Sequence, residues 1–271
     1  MKTIWKGAIN FGLVNIPVKL KTATSKKNIR FRNLHEECNT PVKMKRYCLN
    51  CNQEIDYNEM VKGYEYEENK YVILTDEDFD KIPDKSTKTI DIVDFVSLKE
   101  IDPVFYIKTY YLNPAEGGEK PYLLLKNSLL STNKVAISRI TIRNRESLAV
   151  IRVFKDCLCL ETMFFAEEVR AVEGLNIGHL DEKIEINEKE EELAVEIIDN
   201  LTTEFEPEKY ENRYKDELMD IIRQKIEGEE VEIPDIEEPD DKVIDLMEKL
   251  KATVETTEQE KEEEDVSEMV R

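Results

Sequence analysis

Apolar and polar residues alternate over the first twenty positions, with Ile4, Ala8, Phe11, Val14, Ile16 and Val18 on the apolar beat. β-Branched types are frequent there, and the pattern predicts two strands broken between Gly12 and Pro17. The stretch YEYEENKYVIL at 64–74 predicts a hairpin that turns at Glu68 and Asn69. A short helix should follow it, capped by Thr75, acidic in its first turn and stopped by Pro83. Further strands are expected at 89–96 and 105–112. After the loop NPAEGG, Leu123, Leu124, Leu129 and Leu130 recur near helical spacing, which predicts a helix over 120–130. VAISRITIR, SLAVIRVF and CLCLETMFF then predict three more strands. Regular short strands from Thr3 to Phe165 favour a β-barrel or sandwich over a parallel α/β sheet.

The pattern changes after Gly178. Asn187 with Glu190 three residues later gives a capping arrangement ahead of Leu193, Ala194, Ile197, Ile198 and Leu201, an amphipathic helix. Tyr210, Tyr214, Leu218, Ile221 and Ile222 predict a second helix that closes near Gly228. EGEEVEIPDIEEPDD reads as an acidic, Pro-containing linker, and Val243, Ile244, Met247 and Leu250 as a short third helix. The end, ETTEQEKEEEDVSEMVR, has the composition of a disordered tail. No internal repeat is found. The expected fold is mixed and mainly β: a β-barrel or sandwich core over 1–180, a helical arm over 181–230, and an acidic linker, short helix and flexible tail over 231–271.

Charge sharpens this division. The 271 residues carry a net charge of −21, but residues 181–271 hold 35 acids and 12 bases, leaving 25 acids and 27 bases before them. Screening limits charge effects to about 8 Å at physiological salt, so the acidic total says little about what the core binds. KLKTATSKKNIRFRN at 19–33 holds Lys19, Lys21, Lys26, Lys27, Arg30 and Arg32 and no acid, and no acid precedes Glu36. A second cluster, Lys134, Arg139, Arg143, Arg145, Arg152 and Lys155, is opposed only by Glu146 and Asp156. Arg139, Arg143 and Arg145 all have odd numbers, an even spacing that puts all three on one face if they share a strand. A groove that tracks phosphates needs such a one-sign side, whereas an ordinary solvated sheet face mixes signs.

The N-terminal run MKTIWKGAINFGLVNIP is interrupted by Lys6, Asn10 and Asn15 and has no small-residue cleavage site, unlike a signal peptide. No apolar run approaches the roughly 20 residues that span a bilayer, so a cytosolic location is expected.

Of the five cysteines, Cys48 and Cys51 form a CxxC, and His35 and Cys38 repeat its spacing upstream. An x2 spacing lets two side chains converge on one ion from a tight turn, so the four residues predict a structural zinc site. The alternatives are two unconnected surface turns, or a redox CxxC, which would need a βαβ context that the pattern does not give. Cys157 and Cys159 alternate within a strand and read as small buried hydrophobes. The chain has no GxSxG, phosphate loop or GxGxxG, and His179 has no evident nucleophile beside it. No active site is expected.

Five blocks carry a resemblance to a known family: MKTIWKGAINFGLVNIPVKL, VKGYEYEENKYVILTDEDF, EIDPVFYIKTYYLNPAEGGEKPY, RITIRNRESLAVIR and ETMFFAEEVR. In this order they closely resemble the bacterial Ku proteins, the DNA-end binders of non-homologous end joining. The likeness spans residues 1–230 and continues weakly through DKVIDLMEKLKATVE. It implies a homodimer whose barrels and bridging segments close a ring around duplex DNA in the cytoplasm, associated with the nucleoid. It also implies no catalysis, no required cofactor, and recruitment of a multidomain end-joining DNA ligase through the C-terminal region. Lys43, Lys45 and Arg46 join the two basic clusters as DNA-contact candidates on that reading. The acidic C-terminal extension departs from family members whose extensions are Lys-rich. Two other classes are a zinc-ribbon scaffold that binds only proteins, and a metal-dependent nuclease using Asp76, Asp78 and Asp91.

Overall fold

The alternation over the first twenty residues folds as β1 (Thr3–Phe11) and β2 (Val14–Thr22), an antiparallel pair. The break falls at Gly12 and Leu13, with Gly12 at φ 58° supplying the left-handed position. Pro17 lies inside β2, not in the turn as the sequence pattern predicts. Its carbonyl still accepts from the Ala115 N–H at 2.8 Å, but its missing N–H ends the ladder between β2 and the strand Tyr106–Pro114 there, and the Ala115 carbonyl accepts from the Gly118 N–H at 2.9 Å instead. The computed structural model describes residues 1–81, 88–142, 145–175, 177–178, 180–228 and 246–269. Pro83, Arg143, His179, Val243, Ile244 and most of the acidic linker lie outside these.

The chain divides into two compact units, Met1–Arg170 and Ala171–Arg271. In the first, small ribbons β3 (Tyr47–Cys48) with β4 (Gln53–Glu54), and β5 (Lys62–Glu67) with β6 (Lys70–Leu74), precede α1 (Asp76–Asp80). They belong to an excursion between β2 and β7 (Thr89–Val96). β8 (Tyr106–Pro114), α2 (Glu119–Thr132), β9 (Val135–Ile142), β10 (Arg145–Phe154) and β11 (Cys157–Met163) follow. Seven strands close a barrel in the order β1-β2-β8-β11-β10-β9-β7, completed by a parallel β1–β7 pairing. A Cβ on Gly7 would lie 2.0 Å from the Lys88 carbonyl oxygen and 2.2 Å from the Trp5 ring, so only glycine admits this closure.

Alternate residues of each strand fill the barrel. Ile9, Ile16, Val18, Leu20, Ile90, Leu112, Ile140, Ile151, Leu158 and Leu160 are fully buried and form one cluster. α2 adds Tyr122, Leu125 and Leu129 to it. The Tyr122 hydroxyl donates to the Leu112 carbonyl at 2.8 Å and accepts from the Leu158 N–H at 2.7 Å, tying the helix to two strands. Burial holds this phenol above its ordinary pKa, so it stays a donor. A second apolar cluster lies on the outside, where Val135, Val150 and Met163 pack with Ile101, Phe105 and Tyr106. That cluster covers part of the barrel's outer surface.

The second unit holds α3 (Leu180–Lys183), α4 (Glu188–Asn200), α5 (Arg213–Glu227) and α6 (Leu246–Met269). Asn187 caps α4 as predicted, accepting from the Lys189 N–H at 3.0 Å. Gly228 ends α5 at φ 81°. The predicted short third helix and disordered end are instead one helix, α6, through Met269. Its stretch contains no Gly or Pro and is rich in Glu, Lys and Gln, good helix formers. Val254 and Thr257 are buried, with Met247 and Leu250 half-buried on the same stripe. Half-buried Leu193, Ala194 and Ile197 mark the facing stripe of α4, and Asn200 donates to the Thr257 hydroxyl at 3.5 Å.

Candidate nucleic-acid interface

Because β1 and β2 turn at Gly12 and Leu13, the residues facing each other sum to 25 along most of the hairpin, and Lys6 stands opposite Lys19. Both are out of phase with Ile9, Val18 and Leu20, so both side chains leave the barrel on its outer face. Lys19 is next to Asn113 of β8, and Lys21 is next to Tyr111. Tyr111 in turn faces Cys159 of β11, which faces Arg152 of β10. This outer face of the barrel thus carries lysines at its β1–β2 end and an aromatic at β8, where the Tyr111 ring stacks on Phe154 with centroids 6.4 Å apart.

Lys26, Lys27, Arg30 and Arg32 follow β2 in an exposed segment without strand or helix. Among the described residues, no acid forms an ion pair with Lys6, Lys19, Lys21, Lys26, Lys27, Arg30, Arg32, Lys43 or Lys134. The second cluster is different. Arg139 lies 3.6 Å from Glu146 and is the cross-strand neighbour of Asp91. Arg145 bonds Glu168 at 2.9 Å, and Lys45 bonds Glu54 at 2.6 Å. Arg46 lies over the Tyr57 ring, 5.2 Å from its centroid.

Arg152 is mostly withdrawn from solvent and meets the buried Glu161 at 2.6 Å; this hydrogen bond holds its guanidinium above the ordinary pKa. The Thr109 hydroxyl adds a 3.3 Å bond to the same carboxylate. Arg152 therefore ties β10 to β11 and is not a free cation.

Arg139 and Arg145 do not share the expected common face. β9 ends at Ile142 and β10 begins at Arg145, so the parity that runs along one strand restarts in the next. Arg145 pairs with Ile142, which packs against the barrel core, whereas Arg139 points outward. Arg143 falls outside the described residues. Lys6, which the sequence clusters omit, takes a place in the row. Its signal was the hairpin sum of 25, legible only once the turn is fixed at Gly12 and Leu13.

The four predicted zinc ligands fall into two turns built alike. His35, Cys38 and Asn39 occupy one, and Cys48, Cys51 and Asn52 the other, with Asn39 at φ 52° and Asn52 at φ 53°. His35 Nδ1 lies 3.2 Å from Cys38 Sγ. Hydrogen bonds from the Cys51 and Asn50 segment lower the Cys48 thiol pKa, and the Thr40 hydroxyl and N–H lower that of Cys38. The donor types and paired turns suit zinc, yet among the described residues no three such donors gather into a metal-binding group. Of the two strand cysteines expected to be buried, Cys159 is, with its thiol pushed up to about 12, while Cys157 is only half-buried.

The carboxylates of the nuclease alternative are engaged separately. Asp78 accepts from the Thr75 N–H and hydroxyl, which hold it below the usual carboxylate range. Asp91 accepts from Asn10 at 2.6 Å in the barrel wall. Asp76 lies exposed, 4.0 Å from Lys62. No helix among the described residues is long and apolar enough to cross a membrane.

Comparison with known proteins agrees with this architecture. Residues 10–193 match the family model described as the Ku70/Ku80 beta-barrel domain. The chain is 42% identical to the non-homologous end joining protein Ku of Heliobacterium modesticaldum, over 97% of this chain and 95% of that one. It is 42% identical to the protein of the same name from Bacillus subtilis, over 95% of this chain and 83% of that one. The Archaeoglobus fulgidus protein of that name is 40% identical, over 94% and 99% respectively. With the barrel model spanning more than half of its residues and such relatives matched almost end to end, this chain belongs to the Ku family.

Proposed function

We propose that two copies of this chain close a ring around duplex DNA, thread onto broken ends and hold them for joining, without regard to sequence. The observation that carries this is the cationic row of Lys6, Lys19 and Lys21, without an acidic partner among the described residues and continued by the exposed bases at 26–32. A strand-borne row of ammonium and guanidinium groups suits phosphate oxygens. The helix beside β2, α2, turns Tyr122, Leu125 and Leu129 into the barrel core, and a row of phosphate-seeking cations carries no base readout, so affinity without sequence choice is the expected outcome. Relatives named for non-homologous end joining support the same role. The chain acts as a binding platform and not as a catalyst, and its C-terminal unit is the part offered to a multidomain DNA ligase. The 35 acids after residue 180 discourage DNA from settling there and favour entry at the barrel side.

Topology separates a ring from a surface patch. The protein should load on linear duplex, fail on relaxed covalently closed circles of the same length, and stay trapped when a bound linear molecule is circularised. Equal affinity for the linear and closed forms would overturn the ring.

A further inference from the structure

β5 and β6 form a two-stranded sheet to which no third strand is added among the described residues. Apart from half-buried Leu74, every residue in it is exposed. Tyr64, Tyr66, Tyr71 and Ile73 are each more than half exposed, at 64%, 57%, 58% and 58%. A lone two-stranded hairpin is marginal in water, and three or more strands with an apolar face are needed for stability. The two edges differ. β5 carries Lys62, Glu65 and Glu67 and an irregular register between Glu65 and Glu67, which are devices that blunt an edge against pairing. β6 carries Lys70 at its first position and then Tyr71, Val72, Ile73 and Leu74, with no further charge, proline or bulge. Its backbone edge is a ready template.

We propose that β6 pairs antiparallel with β6 of a second copy of this chain, about a two-fold axis at Val72. This rests on the homodimer of the proposed function and names one of its contact surfaces. The strand is complementary to itself under that operation. Val72 meets Val72 of the partner subunit, and Tyr71 meets Ile73 of the partner subunit twice over, an aromatic to β-branched pair of the favoured kind. Lys70 falls opposite Leu74 of the partner subunit, so the two lysines end at opposite ends of the ladder and no like charges meet. All five residues of β6 are used only with the axis at Val72. A closed two-fold contact of this kind ends at two copies and does not propagate. The product is a four-stranded sheet with the blunted β5 strands as its outer edges.

Val72→Cys places two thiols across the axis at the separation of directly opposed residues, about 4.5–5.5 Å between Cβ atoms. Under mild oxidation this variant should run at twice the chain mass and return to one chain on reduction. Lys62→Cys, on the far edge, should match the parent protein, which carries the background from its own exposed thiols. Ile73→Asp should weaken dimerisation at least tenfold in sedimentation equilibrium while the barrel's circular dichroism and unfolding midpoint hold. Equal crosslinking at Val72 and Lys62, or none at Val72 in a protein that sediments as a dimer, overturns the β6 contact and leaves the ring reading standing. A protein that sediments as a monomer with and without a short duplex overturns both.

Discussion

Lys6 and Lys19 stand directly opposite each other on neighbouring antiparallel strands, both on the outer face of the barrel, and no acid among the described residues pairs with either. Like charges so placed repel and cost the fold a few tenths of a kcal/mol or more. A partner that brings negative charge turns that cost into affinity. Lys6→Ala combined with Lys19→Ala should therefore leave thermal stability unchanged or slightly raised. The slope of log K against log salt should fall by about 0.9 for each phosphate that is no longer neutralised, and twofold symmetry doubles the count. Anisotropy titrations of several unrelated duplexes should show the same weakening for each.

The paired and unpaired bases should rank differently. Arg30→Ala with Arg32→Ala should lower duplex affinity more than Arg139→Ala with Arg145→Ala, because the latter two are already held by Glu146 and Glu168. Breaking those surface pairs should cost at most about 1 kcal/mol of stability each. Duplex binding and urea unfolding on the two double variants check the order.

Arg152 and Glu161 predict a stability effect instead of a binding effect. The Glu161 side chain is 8% exposed and that of Arg152 24%. Glu161→Ala strands the guanidinium in a poorly hydrated site, with an expected loss of about 3 kcal/mol. Replacing both, as Arg152→Met with Glu161→Leu, should recover most of it. Urea midpoints of the two variants test the contrast.

Zinc is expected at about one ion per chain, with His35, Cys38, Cys48 and Cys51 drawn together from their two turns. Structural zinc contributes directly to folding, so Cys48→Ser with Cys51→Ser should lower the unfolding temperature, and chelation should do the same to the parent. Metal analysis of protein purified without chelator supplies the count. Zinc should also slow alkylation of Cys38, Cys48 and Cys51. Cys159 should resist alkylation with or without metal, since only the thiolate reacts and burial pushes that thiol to about 12.

Truncation after Gly228 removes α6 and the acidic linker. Duplex affinity should stay level or rise as negative charge is removed, while stimulation of an end-joining ligase falls. The truncated protein should bind a hydrophobic dye more strongly, because the Leu193 and Ile197 stripe of α4 loses the helix that half-covers it. A fall in duplex affinity would mean that the tail touches DNA.

The sequence by itself determined the strands, because a half-buried strand writes its period of two directly into residue type; β7 spans Thr89–Val96 as the alternation predicts, and the β5–β6 hairpin turns at Glu68 and Asn69. It likewise determined the Asn187 cap and the Gly228 stop, which are local hydrogen-bond and φ requirements. The fate of α6 was decided elsewhere. Its acidic composition resembles that of a disordered chain, and only the distant stripe of α4 makes its sparse apolar residues worth ordering. The division of the bases was also a tertiary decision. Lys19 and Arg139 look alike as cationic strand residues, but registers with distant strands put Asn113 beside one and Asp91 beside the other. Charge acts through space over a few ångströms, so which cations stay free for phosphate depends on neighbours that the barrel brings together from far along the chain.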